Sequence, residues 1–181
     1  MWKNFNGTRN IEGAWTTVLS DAEILPLLRK VVERISKERS SEIRIGVDVA
    51  GNKLWNGRRY EYKNFSKVQQ KRNLNKDEQI QFIDKIIKNN ELYYVEDPLH
   101  ENDFDGFQKL IRSDCLICGD DLIATNPKRL EEAKGKISAV IIKPNQVGSL
   151  IKTREVVELA KKLKITPIIS HRSGETEDNS I

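Results

Sequence analysis

Four apolar runs in this chain each end on a charge. Asp48 closes Ile43-Arg44-Ile45-Gly46-Val47-Asp48, and Glu96 closes Leu92-Tyr93-Tyr94-Val95-Glu96. Asp120 closes Cys115-Leu116-Ile117-Cys118-Gly119-Asp120, and Lys143 closes Ala139-Val140-Ile141-Ile142-Lys143. Each run reads as a buried strand. A charge is not stable in a packed interior, so each strand must emerge into a polar site at that end. A fifth run, Thr166-Pro167-Ile168-Ile169-Ser170, delivers His171.

Helical patterns fill the gaps. Ser20-Asp21-Ala22-Glu23 has the form of a capping box and opens a helix to about Lys37. Between Asp77 and Lys88 the apolar residues Ile80, Ile83, Ile86 and Ile87 recur at helical spacing. Further helices are expected near 103–111, 127–134 and 150–163. Asn56-Gly57, between strand-like flanks over 54–62, signals a hairpin. The polar stretch 67–75 reads as a loop.

From Glu96 onward the strand ends fall 24, 23 and 28 positions apart, at Asp120, Lys143 and His171. This is the pitch of βα repeats with parallel strands. An open doubly wound sheet concentrates function at one switch point. Here nearly every strand delivers a polar group at its C-terminal end, which favours a β/α barrel. A full barrel takes eight such units and about 250 residues. About five parallel βα units plus a hairpin are visible in 181 residues, so the expectation is an α/β fold, a partial TIM-like barrel forming one domain over 1–181.

Composition narrows the setting. The chain is 38% hydrophobic and 32% charged, as expected for a globular domain on the polar side. No apolar run approaches the roughly 18 residues of a membrane span. Met1-Trp2-Lys3-Asn4-Phe5-Asn6 lacks the apolar core of a secretory signal, so the expected location is cytoplasmic. The net charge of +4 comes from lysines scattered along helices, as at Lys161-Lys162, which reads as solvated faces rather than a nucleic-acid surface. Cys115 and Cys118 have the C-x-x-C spacing of a redox or metal pair. Positions three apart in a strand face opposite sides, so two separate core cysteines are expected.

Three carboxylates with no imidazole or thiolate in register suit a hard cation, above all Mg²⁺. Any single acid at a strand end reads equally well as a cap or a loop ion pair; three in succession favour the metal. Lys143 reads either as a general base or as the ion-pair partner of one of the acids. His171 and Arg172, beside Ser173, suit an anion.

Several motifs carry a family likeness. They are Gly46-Val47-Asp48, Val95-Glu96-Asp97-Pro98, Gly119-Asp120-Asp121-Leu122 with Thr125-Asn126-Pro127, and Lys143-Pro144-Asn145-Gln146-Val147-Gly148. The last is Ser170-His171-Arg172-Ser173-Gly174-Glu175-Thr176-Glu177-Asp178, nine residues unbroken. Together they resemble enolase, and Lys-Pro-Asn-Gln resembles its archaeal branch. The likeness runs from about Glu12 to the C-terminus. It implies an enolase-type C-terminal barrel domain that dehydrates 2-phosphoglycerate to phosphoenolpyruvate in glycolysis and gluconeogenesis. It implies Asp48, Glu96 and Asp120 on Mg²⁺, and Lys143 as the base at the carbon α to the carboxylate. Glu12 would assist departure of the hydroxyl. Arg172 and Ser173 would hold the phosphate, His171 would line the pocket, and Glu96, Asp120 and Lys143 would also meet substrate.

The chain departs from the family pattern at several points. The N-terminal capping domain, the last barrel strand with a second lysine, and a glutamate and histidine upstream of Glu12 have no counterpart in it. Asn10-Ile11 stand where the family has Gly-Asp. The expectation is an impaired enolase segment. The alternatives are one half of a split enolase, completed by a complementary fragment, or a non-catalytic binding remnant. The resemblance implies either a homodimer or a complementary enolase fragment as the partner.

Overall fold

The capping box at Ser20 forms: the Glu23 carboxylate accepts the Ser20 N–H at 2.9 Å. It starts helix α1, Asp21–Arg39, near the beginning of what the computed structural model describes, residues 7–10, 13–62 and 72–171. Next come strand β1 (Gly46–Asp48), the short helix α2 (Gly51–Leu54), and strands β2 (Tyr60–Tyr62) and β3 (Arg72–Leu74). The alternating part follows as α3 (Lys76–Asn90), β4 (Tyr94–Glu96), α4 (Phe104–Leu110), β5 (Leu116–Gly119) and α5 (Pro127–Glu132). Strand β6 (Ala139–Ile142), helices α6 (Pro144–Val147) and α7 (Leu150–Lys162), and strand β7 (Thr166–Ile169) complete it. No helix among the described residues is long and apolar enough to cross a membrane.

Strands β1, β4, β5, β6 and β7 form one parallel sheet, in that spatial order. Asp48 lies level with Glu96, and Glu96 with Cys118. Two positions beyond Cys118 comes Asp120, so three carboxylates leave the sheet side by side at its C-terminal edge. On the outer face Val47, Val95, Ile117, Val140 and Ile142 pack beneath helices that contribute Ile83, Ile87, Phe107, Leu130 and Val156. This face holds the main core. The inner face is thinner: Cys118, Ala139 and Ile141 touch Tyr94, Leu116 and Ile168. The expected separation of the cysteines is borne out. Both are buried and free, Cys115 in the outer core and Cys118 on the inner face.

Two local expectations need correction. The Asn56-Gly57 turn exists, closed by Asn56 N–H to the Arg59 carbonyl at 3.0 Å and flanked by an antiparallel Trp55–Tyr60 bridge. Its first arm, however, is the helical turn α2 rather than a strand. Within the expected loop 67–75, Arg72–Leu74 is a strand paired antiparallel with β2. Backbone pairing to the β2 edge outweighs the polar composition that read as a loop.

Candidate metal centre at the strand ends

The C-terminal edge opens into a cavity of about 340 Å³ lined by Asp48, Glu96, Asp97, Asp120, Asp121, Lys53, Lys143, Ser170 and His171. The structure therefore brings together Asp48, Glu96, Asp120, Lys143 and His171, which the sequence placed on five separate strands. Glu12, Arg172 and Ser173 lie outside the described residues.

Each wall residue is held by its own strand exit. Asp48 Oδ1 accepts the Ala50 N–H at 2.8 Å, an Asx-type turn at the end of β1. Glu96 Oε2 accepts the Tyr94 hydroxyl at 2.5 Å from the same face of β4. The Lys143 Nζ pairs with Asp120 Oδ2. The Lys143 N–H donates to Thr125 Oγ1 at 3.0 Å, and that hydroxyl donates to Gln146 Oε1 at 2.7 Å. Thr125 is buried at φ 52°, a conformation that costs a β-branched residue about 1–3 kcal/mol. Its two hydrogen bonds show what holds it there: the β5 exit loop is fastened to the start of α6 beneath the lysine.

The electrostatics are those of a crowded acid site. Burial raises the pKa of Asp48 above the ordinary carboxylate value, and the Asp120 charge adds to it. Glu96 is raised by burial first, then by Asp48 and Asp120. Burial pushes Asp97 up to about 7, against two N–H groups that favour its charged form. Burial raises the Tyr94 hydroxyl and the Cys118 thiol beneath the site, keeping both neutral.

Whether these acids fit a cation can be read from their oxygens. Asp48, Glu96 and Asp120 each give one oxygen to a protein partner. Asp120 Oδ1 is buried and makes no hydrogen bond among the described residues. An orphaned buried carboxylate oxygen is costly, and a cation satisfies it. All the donors are carboxylate oxygens, as a hard divalent ion prefers. Among the described residues, the acids whose oxygens all come within 4.8 Å of one another are Asp97, Asp120 and Asp121, whereas those of Asp48, Glu96 and Asp120 do not all approach so closely. Both Asp97 oxygens are already taken by backbone N–H groups, so that cluster is less open to an ion than its spacing suggests.

A parallel βα sheet with carboxylates and a lysine gathered at its C-terminal strand ends defines an α/β-barrel segment with an acid-lined mouth. The chain belongs to the enolase family: the model of the enolase C-terminal TIM barrel domain matches residues 5–181. It is 45% identical to an enolase of Pyrobaculum aerophilum over 96% of its own length and 41% of that protein. It is 39% identical to an enolase of Archaeoglobus fulgidus, over 94% and 42%, and 40% identical to one of Methanothermobacter thermautotrophicus, over 98% and 43%. The chain thus spans about two fifths of the length of these relatives.

The sequence reading missed two residues of this site. Asp97 sits in a quoted motif but drew no role, because its contacts lie some two dozen positions away. Tyr94 read only as a strand residue. Its place two before Glu96, on the same face, was the available signal.

Proposed function

We propose that residues 1–181 act as one barrel domain carrying the metal-binding and proton-abstracting part of an enolase reaction, the dehydration of 2-phosphoglycerate to phosphoenolpyruvate. The supporting observation is the shared mouth: Asp48, Glu96 and Asp120 leave adjacent strands into one cavity, with Lys143 on the next strand. Asp48, Glu96 and Asp120 hold Mg²⁺. Bound there, the ion supplies positive charge against the substrate carboxylate and the negative charge that develops during proton removal. Lys143 Nζ takes the proton from C2. The C3 hydroxyl departs as water with a proton delivered through Glu12, leaving the C2–C3 double bond. Arg172 and Ser173 hold the phosphate, and His171 lines the pocket. The setting is the cytoplasm, in glycolysis and gluconeogenesis.

In this reading Lys143 and the acids separate cleanly. Lys143→Ala abolishes phosphoenolpyruvate formation and leaves Mg²⁺ binding intact, whereas Asp120→Asn loses both. Calorimetry with Mg²⁺ and a coupled phosphoenolpyruvate assay measure the two. Mg²⁺ binding that survives replacement of Asp48, Glu96 and Asp120 together overturns the reading.

The limited span of the match favours a second form of the same proposal, in which residues beyond these 181 complete the site. Turnover that appears only on mixing with the remaining part of an archaeal enolase supports it. Turnover by the chain alone contradicts it.

A further inference from the structure

Asp97 follows Glu96 directly and has no part in the scheme above. It is 4% exposed, and all of its polar groups are engaged across the strand ends. Asp97 Oδ1 accepts the Asp120 N–H at 2.8 Å, and Oδ2 accepts the Asp121 N–H at 2.7 Å. Its own N–H donates to the Cys118 carbonyl at 3.0 Å, and its carbonyl accepts the Gly51 N–H at 2.8 Å. One residue therefore ties the exits of β1, β4 and β5, the strands that carry Asp48, Glu96 and Asp120. Asp97 adopts φ 38°, which a non-glycine residue occupies at a cost. The packing leaves it little freedom to relax, since a Cβ on Gly51 would lie 2.8 Å from the Asp97 carbonyl oxygen.

We propose that Asp97 is a positioning residue for the metal centre. Its carboxylate fixes the Asp120–Asp121 backbone and so holds the Asp120 side chain beside Glu96 at the mouth. The inference rests on reading Asp48, Glu96 and Asp120 as the metal-binding set. Asp97 itself is not a ligand in this account. An asparagine at position 97 has one acceptor oxygen and turns an NH₂ group toward the second N–H, so at most one of the two bonds survives. Residues that orient a metal ligand typically change affinity by about 10–100-fold when replaced.

The test uses the full chain and two readouts. Amide hydrogen exchange on the wild type is expected to show slow exchange at Asp120 and Asp121. In Asp97→Asn those two amides speed up while Ile117 and Val140, deep in the sheet, stay protected. Calorimetric titration with MgCl₂ is expected to show affinity weaker by about 10–100-fold in Asp97→Asn. Wild-type amides at 120 and 121 that exchange as freely as exposed loop positions overturn the proposal without any variant, so a poorly folding variant leaves it testable. Asp97→Asn binding Mg²⁺ as tightly as wild type overturns the positioning role alone. A wild-type chain that binds no Mg²⁺ overturns the metal reading and this role with it.

Discussion

The parallel sheet has a cavity of about 340 Å³ at each end, and the two differ in how their charges are matched. At the N-terminal end every lining carboxylate has a guanidinium. Glu33 and Glu91 pair with Arg29, Glu42 with Arg44, and Asp114 with Arg112. Arg44 also lies over the Tyr93 ring, 4.2 Å from its centre. At the C-terminal end five acids face Lys53 and Lys143, and the ion pair found there among the described residues is Lys143–Asp120. The first end is electrostatically closed and needs nothing further. Among the described residues, the second leaves the buried Asp120 Oδ1 unmatched, which is the state expected of a site made for a cation. The contrast follows the division of labour in β/α barrels, with chemistry at the C-terminal face and stability at the other.

The largest effect that separates the two ends is steric. Gly51→Ala places a Cβ 2.8 Å from backbone atoms of Asp97 and Leu99. Backbone cannot swing aside as a flexible side chain can, so the substitution is expected to cost about 1–3 kcal/mol. Urea unfolding measures it, and the same variant should weaken Mg²⁺ binding because the β1 and β4 exits move apart. Unchanged stability would show that the mouth is looser than this packing implies.

An intermediate effect is pH dependence. Asp97 is raised to about 7, and Asp48 and Glu96 shift in the same direction, all chiefly by burial. A raised acid holds its proton more tightly folded than unfolded. These groups therefore favour the folded, metal-free chain most below the ordinary carboxylate range. The Asp97 contribution is lost as pH rises from the ordinary carboxylate range through about 7, and those of Asp48 and Glu96 are lost as pH rises above the ordinary carboxylate range. Urea midpoints in chelator should fall over that interval and fall less steeply in Asp97→Asn. Saturating Mg²⁺, which needs ionised acids, should oppose the decline. Midpoints in chelator that climb with pH would contradict the unmatched-acid picture.

The smallest effect belongs to the matched end. Arg29→Met removes partners from Glu33 and Glu91, both exposed, while Arg29 itself is half-buried. Thermal melting should drop slightly, and the drop should shrink in high salt, as for solvent-screened pairs. The response of melting to Mg²⁺ should not change. A variant that lost that response would break the separation between the two ends.

This contrast also explains what the sequence revealed. The mouth was legible because an apolar run that ends on Asp48, Glu96, Asp120 or Lys143 cannot hide its charge, and the run itself marks the strand. The outer core was legible for the same reason, since Val95, Ile117 and Val140 sit in unbroken apolar runs. Arg72–Leu74 was not, because a short, mostly polar strand gains its structure chiefly from pairing with Tyr60–Tyr62, with Leu74 packed against the core. Asp97 was not, because its role depends on the Asp120 and Asp121 N–H groups, brought within reach only when β4 and β5 align. Which acid binds an ion and which acid holds the backbone is a matter of hydrogen-bond geometry, and no spacing encodes it.

The central claim is that Asp48, Glu96 and Asp120, at the C-terminal strand ends, form a metal site. Calorimetric titration of MgCl₂ into the wild-type chain, and into a chain carrying Asp48→Asn, Glu96→Gln and Asp120→Asn, tests it most directly. One saturable Mg²⁺ site in the wild type and none in the triple variant is the predicted result. Equal binding by both chains, or binding by neither, would contradict it.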